Sequence, residues 1–100
     1  MSDSSEISTA VLRLASEISG LTVEMITSRC RKQPLPAIRA VIAKELGLRG
    51  MHERDIAPIL GVDRTSVLHY QHKLFYTVTL RPTIKEKPFI EEWKRRRKEL

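Results

Sequence analysis

A chain of 100 residues is long enough to bury one modest core and too short for two, so a single domain spanning 1–100 is expected. Aromatic residues make up only 5%, leaving Leu, Ile, Val and Ala to fill the interior of packed helices, and the formal net charge of +6 with a pI near 9.9 points to a polyanionic partner, nucleic acid before a membrane surface. One cysteine, Cys30, excludes an internal disulfide and a cysteine-based zinc site, and no apolar run approaches a membrane span or signal core, so the expectation is a soluble, cytoplasmic chain.

Residues 1–5 are polar and expected to be disordered, with Ser4 or Ser5 available to cap the first helix. Ile7, Val11, Leu14, Ala15 and Ile18 then recur at helical spacing up to Gly20, a suitable C-terminal cap. Thr22 is placed to cap a short second helix, with Val23 and Ile26 facing inward and Glu24 in the favourable first turn, ending around Ser28. Arg29, Cys30, Arg31, Lys32, Gln33 and Pro34 form a basic loop whose three cations can grip phosphates. Pro36 suits the first turn of a third helix lined by Ile38, Ile42 and Leu46, with Gly47 and Gly50 expected to end it.

The next stretch, 53–75, reads as a helix-turn-helix. Ala57, Gly61 and Val67 have the spacing that motif needs: a small residue where two helices cross, a turn residue free to take positive φ, and an apolar anchor for the second helix. Ile56, Ile59 and Leu60 face the core from the first helix, in which Pro58 predicts a late start or a kink. Asp63 can cap the second helix through its carboxylate, so that helix starts at Arg64. At about 100° per residue, Val67, Tyr70, Gln71, Leu74 and Phe75 share one side. Thr65, Ser66, His69, His72 and Lys73 fall on the other, with Arg64 at the tip. All six hydrogen-bond and none is acidic, as a surface laid into the major groove requires. Residues 76–80 (YTVTL) are ambiguous, either the end of the recognition helix or a short extended piece. A basic C-terminal helix is expected over 84–100, at least from Pro88 onward, with Phe89, Ile90 and Trp93 inward and the run Lys94, Arg95, Arg96, Arg97, Lys98 as a solvated end.

Three stretches together carry a family resemblance: SRCRKQP followed by IAKEL, DRTSVLH, and TIKEKPF. They resemble, in the same order, the C-terminal double-strand-binding domain (domain IV) of the bacterial replication initiator DnaA, over roughly residues 7–98. The middle stretch is the specific one, being similar to that family's D-H-T-T-V-L-H signature. The resemblance implies an all-α, compact domain of about six helices with a helix-turn-helix, of the DnaA domain IV and Trp-repressor type. It also implies a duplex target like a DnaA box, with residues of the signature reading the major groove and the basic loop reaching the backbone and neighbouring minor groove. Carried over by position, Asp63, Thr65, Ser66, Val67, Leu68 and His69 match the signature, while Arg64 stands where the family usually has His. A forked guanidinium prefers guanine, so the preferred sequence is expected to differ. The family's Gly-Gly-Arg turn is shortened to Gly61 and Val62, and its loop arginines before the third helix are replaced by Pro34, Leu35 and Pro36. Arg29, Arg31, Lys32 or Arg39 are the candidates to substitute for them.

The expected site is therefore base reading by Arg64, Thr65, Ser66 and His69, backbone contacts from Arg29, Arg31, Lys32, Arg39 and Lys73, and Asp63 as helix cap. The leading function is a sequence-specific duplex-DNA-binding protein acting in replication initiation or its regulation at the nucleoid, with replication proteins as further partners and a monomer as default. Alternatives are a transcriptional regulator at a promoter and a protein-interaction adaptor that does not bind DNA. An enzyme is not expected. The four glycines cannot make a phosphate loop, so no ATP is expected. His52, His69 and His72 lack an H-E-x-x-H pattern, so no metal is expected either. Glu91 and Glu92 point to different sides of a helix and make no acid/base pair.

Overall fold

Ten of the fourteen residues of one helix are buried, and the rest of the fold is arranged around it. In the computed structural model, which describes residues 3–100 and side chains from Glu6 onward, that helix is α3 (Leu35–Leu48). Its segment AIRAVIA is apolar on nearly every side, as a rod enclosed by neighbours must be. Around it lie α1 (Asp3–Ser19), α2 (Val23–Ile26), α4 (Glu53–Leu60), α5 (Arg64–His69), a five-residue π-helical stretch (Tyr70–Leu74), α6 (Phe75–Leu80), α7 (Lys87–Arg96) and a 3-10 turn (Arg97–Glu99). Among the described residues there is no strand, and the fold is all-α. Ala37, Ala40 and Ala43 keep α3 slim enough for close approach, while Ile38, Ile42 and Leu46 are fully enclosed. Each such aliphatic side chain contributes roughly 1.5–3 kcal/mol by leaving water.

Local chemistry sets the element ends. Thr22 caps α2 by accepting from the Met25 amide at 3.1 Å. Helix α3 ends with Met51 N–H donating to the Leu46 carbonyl and Gly50 N–H to that of Gly47, with Gly50 at φ +96°. Gly47 therefore does not end the helix, as the sequence suggested, but lies inside it. A Cβ there would come within 2.6 Å of the Gln71 Nε2, so any larger residue would displace that crossing side-chain amide.

Helix α4 starts promptly at Glu53, without the delay expected from Pro58, because His52 Nδ1 caps it by accepting from the Arg54 amide at 3.3 Å. Pro58 and Arg54 are both exposed, so the backbone carbonyl that the proline leaves unpaired can turn to water. Helix is described from Asp3, inside the stretch 1–5 that was expected to be disordered, while residues 1–2 lie outside the described part.

From Arg64 to Leu80 the backbone stays helical, which resolves 76–80 as helix. Its threonines are accommodated because Thr77 Oγ1 donates to the Lys73 carbonyl at 2.9 Å and Thr79 Oγ1 to that of Phe75 at 2.8 Å. Arg81 and Pro82 stop it. Thr83 and Glu86 form a capping box, the Thr83 amide donating to Glu86 Oε1 at 2.9 Å and the Glu86 amide to Thr83 Oγ1 at 3.3 Å; it opens a turn over 84–86, from which the regular α-helix continues at Lys87. Phe89, Ile90 and Trp93 then pack inward as expected.

Candidate nucleic-acid interface

Helices α4 and α5 pack against each other across a tight turn. Gly61 takes φ +69°, and the Val62 and Gly61 amides donate to the Ala57 and Pro58 carbonyls at 3.0 and 3.3 Å. Asp63 follows in an extended conformation and its Oδ1 accepts from the Ser66 amide at 2.7 Å, which fixes where α5 begins. Hydrogen bonding by Ser66, backbone first and side chain second, holds the Asp63 carboxyl below its ordinary range. It is thus ionised, and committed to the cap, at neutral pH.

With its start fixed, α5 is oriented by Val67, which has no exposed surface. Arg64, Thr65 and His69 are exposed and Ser66 is half-buried, so the four expected base readers share the outward part of the helix. His72 and Lys73 continue that exposure into the π-helical stretch. Leu68 adds an apolar group, 37% exposed, in the same neighbourhood. A leucine among donors and acceptors is suited to a thymine methyl. The outward helical spacing of Leu68 with Thr65 and His72 was readable in advance, although attention to polar groups passes over it.

The basic loop is equally open, with Arg29, Arg31 and Lys32 exposed. Among the described residues none of these three, nor Arg64 or Lys73, forms an ion pair. The root of the loop and the helix-turn-helix turn are in contact: a Cβ on Gly61 would sit 2.7 Å from the Thr27 carbonyl oxygen. The loop therefore emerges beside the turn that launches α5, although the two are more than thirty residues apart in sequence.

Arg39 is corrected. Expected on the DNA backbone, it is only 2% exposed. Its Nε donates to the Ile26 carbonyl at 2.7 Å, and its terminal Nη2 donates to the carbonyls of Ser28 at 2.8 Å and Met25 at 3.4 Å. Those carbonyls lie at and just beyond the C-terminal end of α2, where a cation is favoured by the helix dipole and by hydrogen bonding. Arg39 thus braces the base of the basic loop from inside instead of touching anything outside. Its flanks, Ala37, Ile38, Ala40 and Val41, are the signal that this arginine lies on a buried helix.

The C-terminal cations are largely occupied by carboxylates. Arg97 pairs with Glu45, Arg96 with Glu17 and Glu99, and Arg95 with Glu92. Among the described residues no group of three or more His, Cys, Asp or Glu could hold a metal ion, and no helix is long and apolar enough to cross a membrane. No family description, curated protein or solved structure matches this chain.

Proposed function

We propose that this chain is a sequence-specific binder of double-stranded DNA, a binding protein and not an enzyme, that acts in replication initiation or its control at a site like a DnaA box. The observation that supports this most is the contact between Gly61 and the Thr27 carbonyl, because it sets a loop of unpaired cations beside the N-terminal tip of an exposed, non-acidic helix. Arg64 supplies a forked pair of donors matched to guanine O6 and N7; Thr65, Ser66 and His69 each both donate and accept; Leu68 suits a thymine methyl. Arg29, Arg31 and Lys32 take phosphates, which positions the domain without reading sequence. Lys73, a little more than two turns along from Arg64, takes another. Arg39 has no place in the contact, and its part is to hold the loop.

Selection of bound sequences from a random duplex library tests the reading, with the winner then compared against a DnaA box and a scrambled duplex. A defined consensus is expected. Arg64→Ala should cost about 1–3 kcal/mol on that consensus and relax preference at one base position. Equal loss on every duplex would make Arg64 a phosphate contact, and no preference among duplexes at low salt would refute sequence-specific binding.

A further inference from the structure

At the far end of the same helical segment the surface changes character. A groove of about 400 Å³ lies between α3, α6 and α7, floored by Phe75, Ile90 and Trp93. Leu48 and Leu80 project at its margins, 63% and 77% exposed. Leucines this exposed are ordinary when single, whereas two flanking one apolar groove mark a place where apolar surface is to be covered.

The rim decides what covers it. The Lys44 ammonium lies 5.5 Å and 5.3 Å from the centroids of the Phe75 and Tyr76 rings and donates to the Tyr76 hydroxyl at 3.4 Å, with no carboxylate partner among the described residues. Lys94 is exposed on the opposite wall. Arg97 is already neutralised by Glu45. The rim therefore carries uncompensated positive charge over an apolar floor. A second copy of the chain, itself at +6, would bring like charge to like. A phosphate backbone has nothing to place on the floor. An amphipathic helix with aliphatic anchors on one face and Asp or Glu along its flanks satisfies both features, in the helix-in-groove mode.

We infer that this groove is a docking site for an acidic amphipathic helix of a partner protein. Sixteen residues separate Leu80 from Arg64, about 24 Å of helix, so an occupant there would leave the α5 tip free. The site stands whether or not the chain binds DNA.

Trp93, the single tryptophan, lines the groove and reports its occupancy. The probes are two synthetic peptides of about 14 residues, roughly four helical turns, with identical leucine anchors and either glutamate or lysine flanks. The glutamate peptide is expected to shift Trp93 emission saturably, and more weakly as salt is added. Leu80→Glu and the pair Lys44→Glu with Lys94→Glu, each checked for unchanged helicity, should weaken it tenfold or more. Equal response to both peptides, an unaffected Leu80→Glu variant, or no response up to about 1 mM peptide would overturn the inference. So would emission that shifts only with anionic phospholipid vesicles, which would make the groove a lipid contact, or a doubling of mass with concentration, which would make it a self-interface.

Discussion

Glu45 is a carboxylate with 2% of its surface exposed, and such a group is tolerable only if its charge is matched. Burial pushes its carboxyl up. Two hydrogen bonds from Arg97, at 2.7 and 3.2 Å, and one from Arg49 at 2.7 Å, with the charges of both arginines, outweigh burial and hold it below the ordinary 4.5. A folded value below the unfolded one means that the ion stabilises the fold above pH 4.5, and that this contribution is lost as pH falls through the folded value. Glu45→Gln is expected to destabilise by about 1–3 kcal/mol near neutrality, less than a fully enclosed pair because both arginines reach solvent. Thermal unfolding should show the gap to the parent narrowing below pH 4.5. A gap that is the same at every pH would mean that shape, not charge, is what Glu45 contributes. Sequence distance decides which of these polar partners can be read in advance. Asp63 was legible because its partner amide, Ser66, lies three residues away, whereas Arg39 was misplaced because its carbonyls lie 11 to 14 residues back.

At the scale of elements, the approach of α3 to the π-helical stretch turns on one missing methyl. Gln71 Nε2 donates to the Ala43 carbonyl at 3.0 Å, and it passes over Gly47 closely enough that a Cβ would lie 2.6 Å away. Alanine inside a helix is ordinarily favoured over glycine by about 0.5–1 kcal/mol. Here the added methyl displaces the amide, losing a hydrogen bond worth about 0.5–1.5 kcal/mol. Gly47→Ala alone should therefore be neutral to mildly destabilising. In a Gln71→Ala background the same change should stabilise by about 0.5–1 kcal/mol, since only the helix preference remains. Denaturant midpoints of the four proteins in the cycle measure this, and additive effects would show that the two residues are uncoupled. The helices themselves were legible because periodicity and caps are local: Thr22, Pro36, Gly61 and Asp63 mark boundaries within a residue or two. The capping box at Thr83 and Glu86 was equally readable as T-x-x-E. The widened turn over Tyr70–Leu74 was not, because a projection at 100° per residue assumes the α-helical period it departs from.

Across the whole molecule, a cation that already has a carboxylate partner differs from one that has none. Eighteen Lys and Arg against twelve Asp and Glu leave +6, and the cations differ in whether a carboxylate meets them. Arg49, Arg95, Arg96 and Arg97 meet carboxylates around α3 and α7, whereas Arg29, Arg31, Lys32, Arg64 and Lys73 have no ion-pair partner among the described residues. If these five are where phosphates are gripped, removing charge there must act differently from removing the same charge elsewhere. Each phosphate that a cation no longer neutralises lowers the slope of log affinity against log salt by about 0.9. Arg31→Ala with Lys32→Ala should thus weaken binding to every duplex and flatten that slope by about 2 units. Arg95→Ala removes a cation already paired with Glu92 on α7, and should leave the slope unchanged. Titrations at four or five salt concentrations separate the two, because a general attraction would respond to net charge wherever it is removed. Similar flattening in both proteins would mean that duplex is held by the overall field of the molecule, and the loop beside the turn would lose its assigned part.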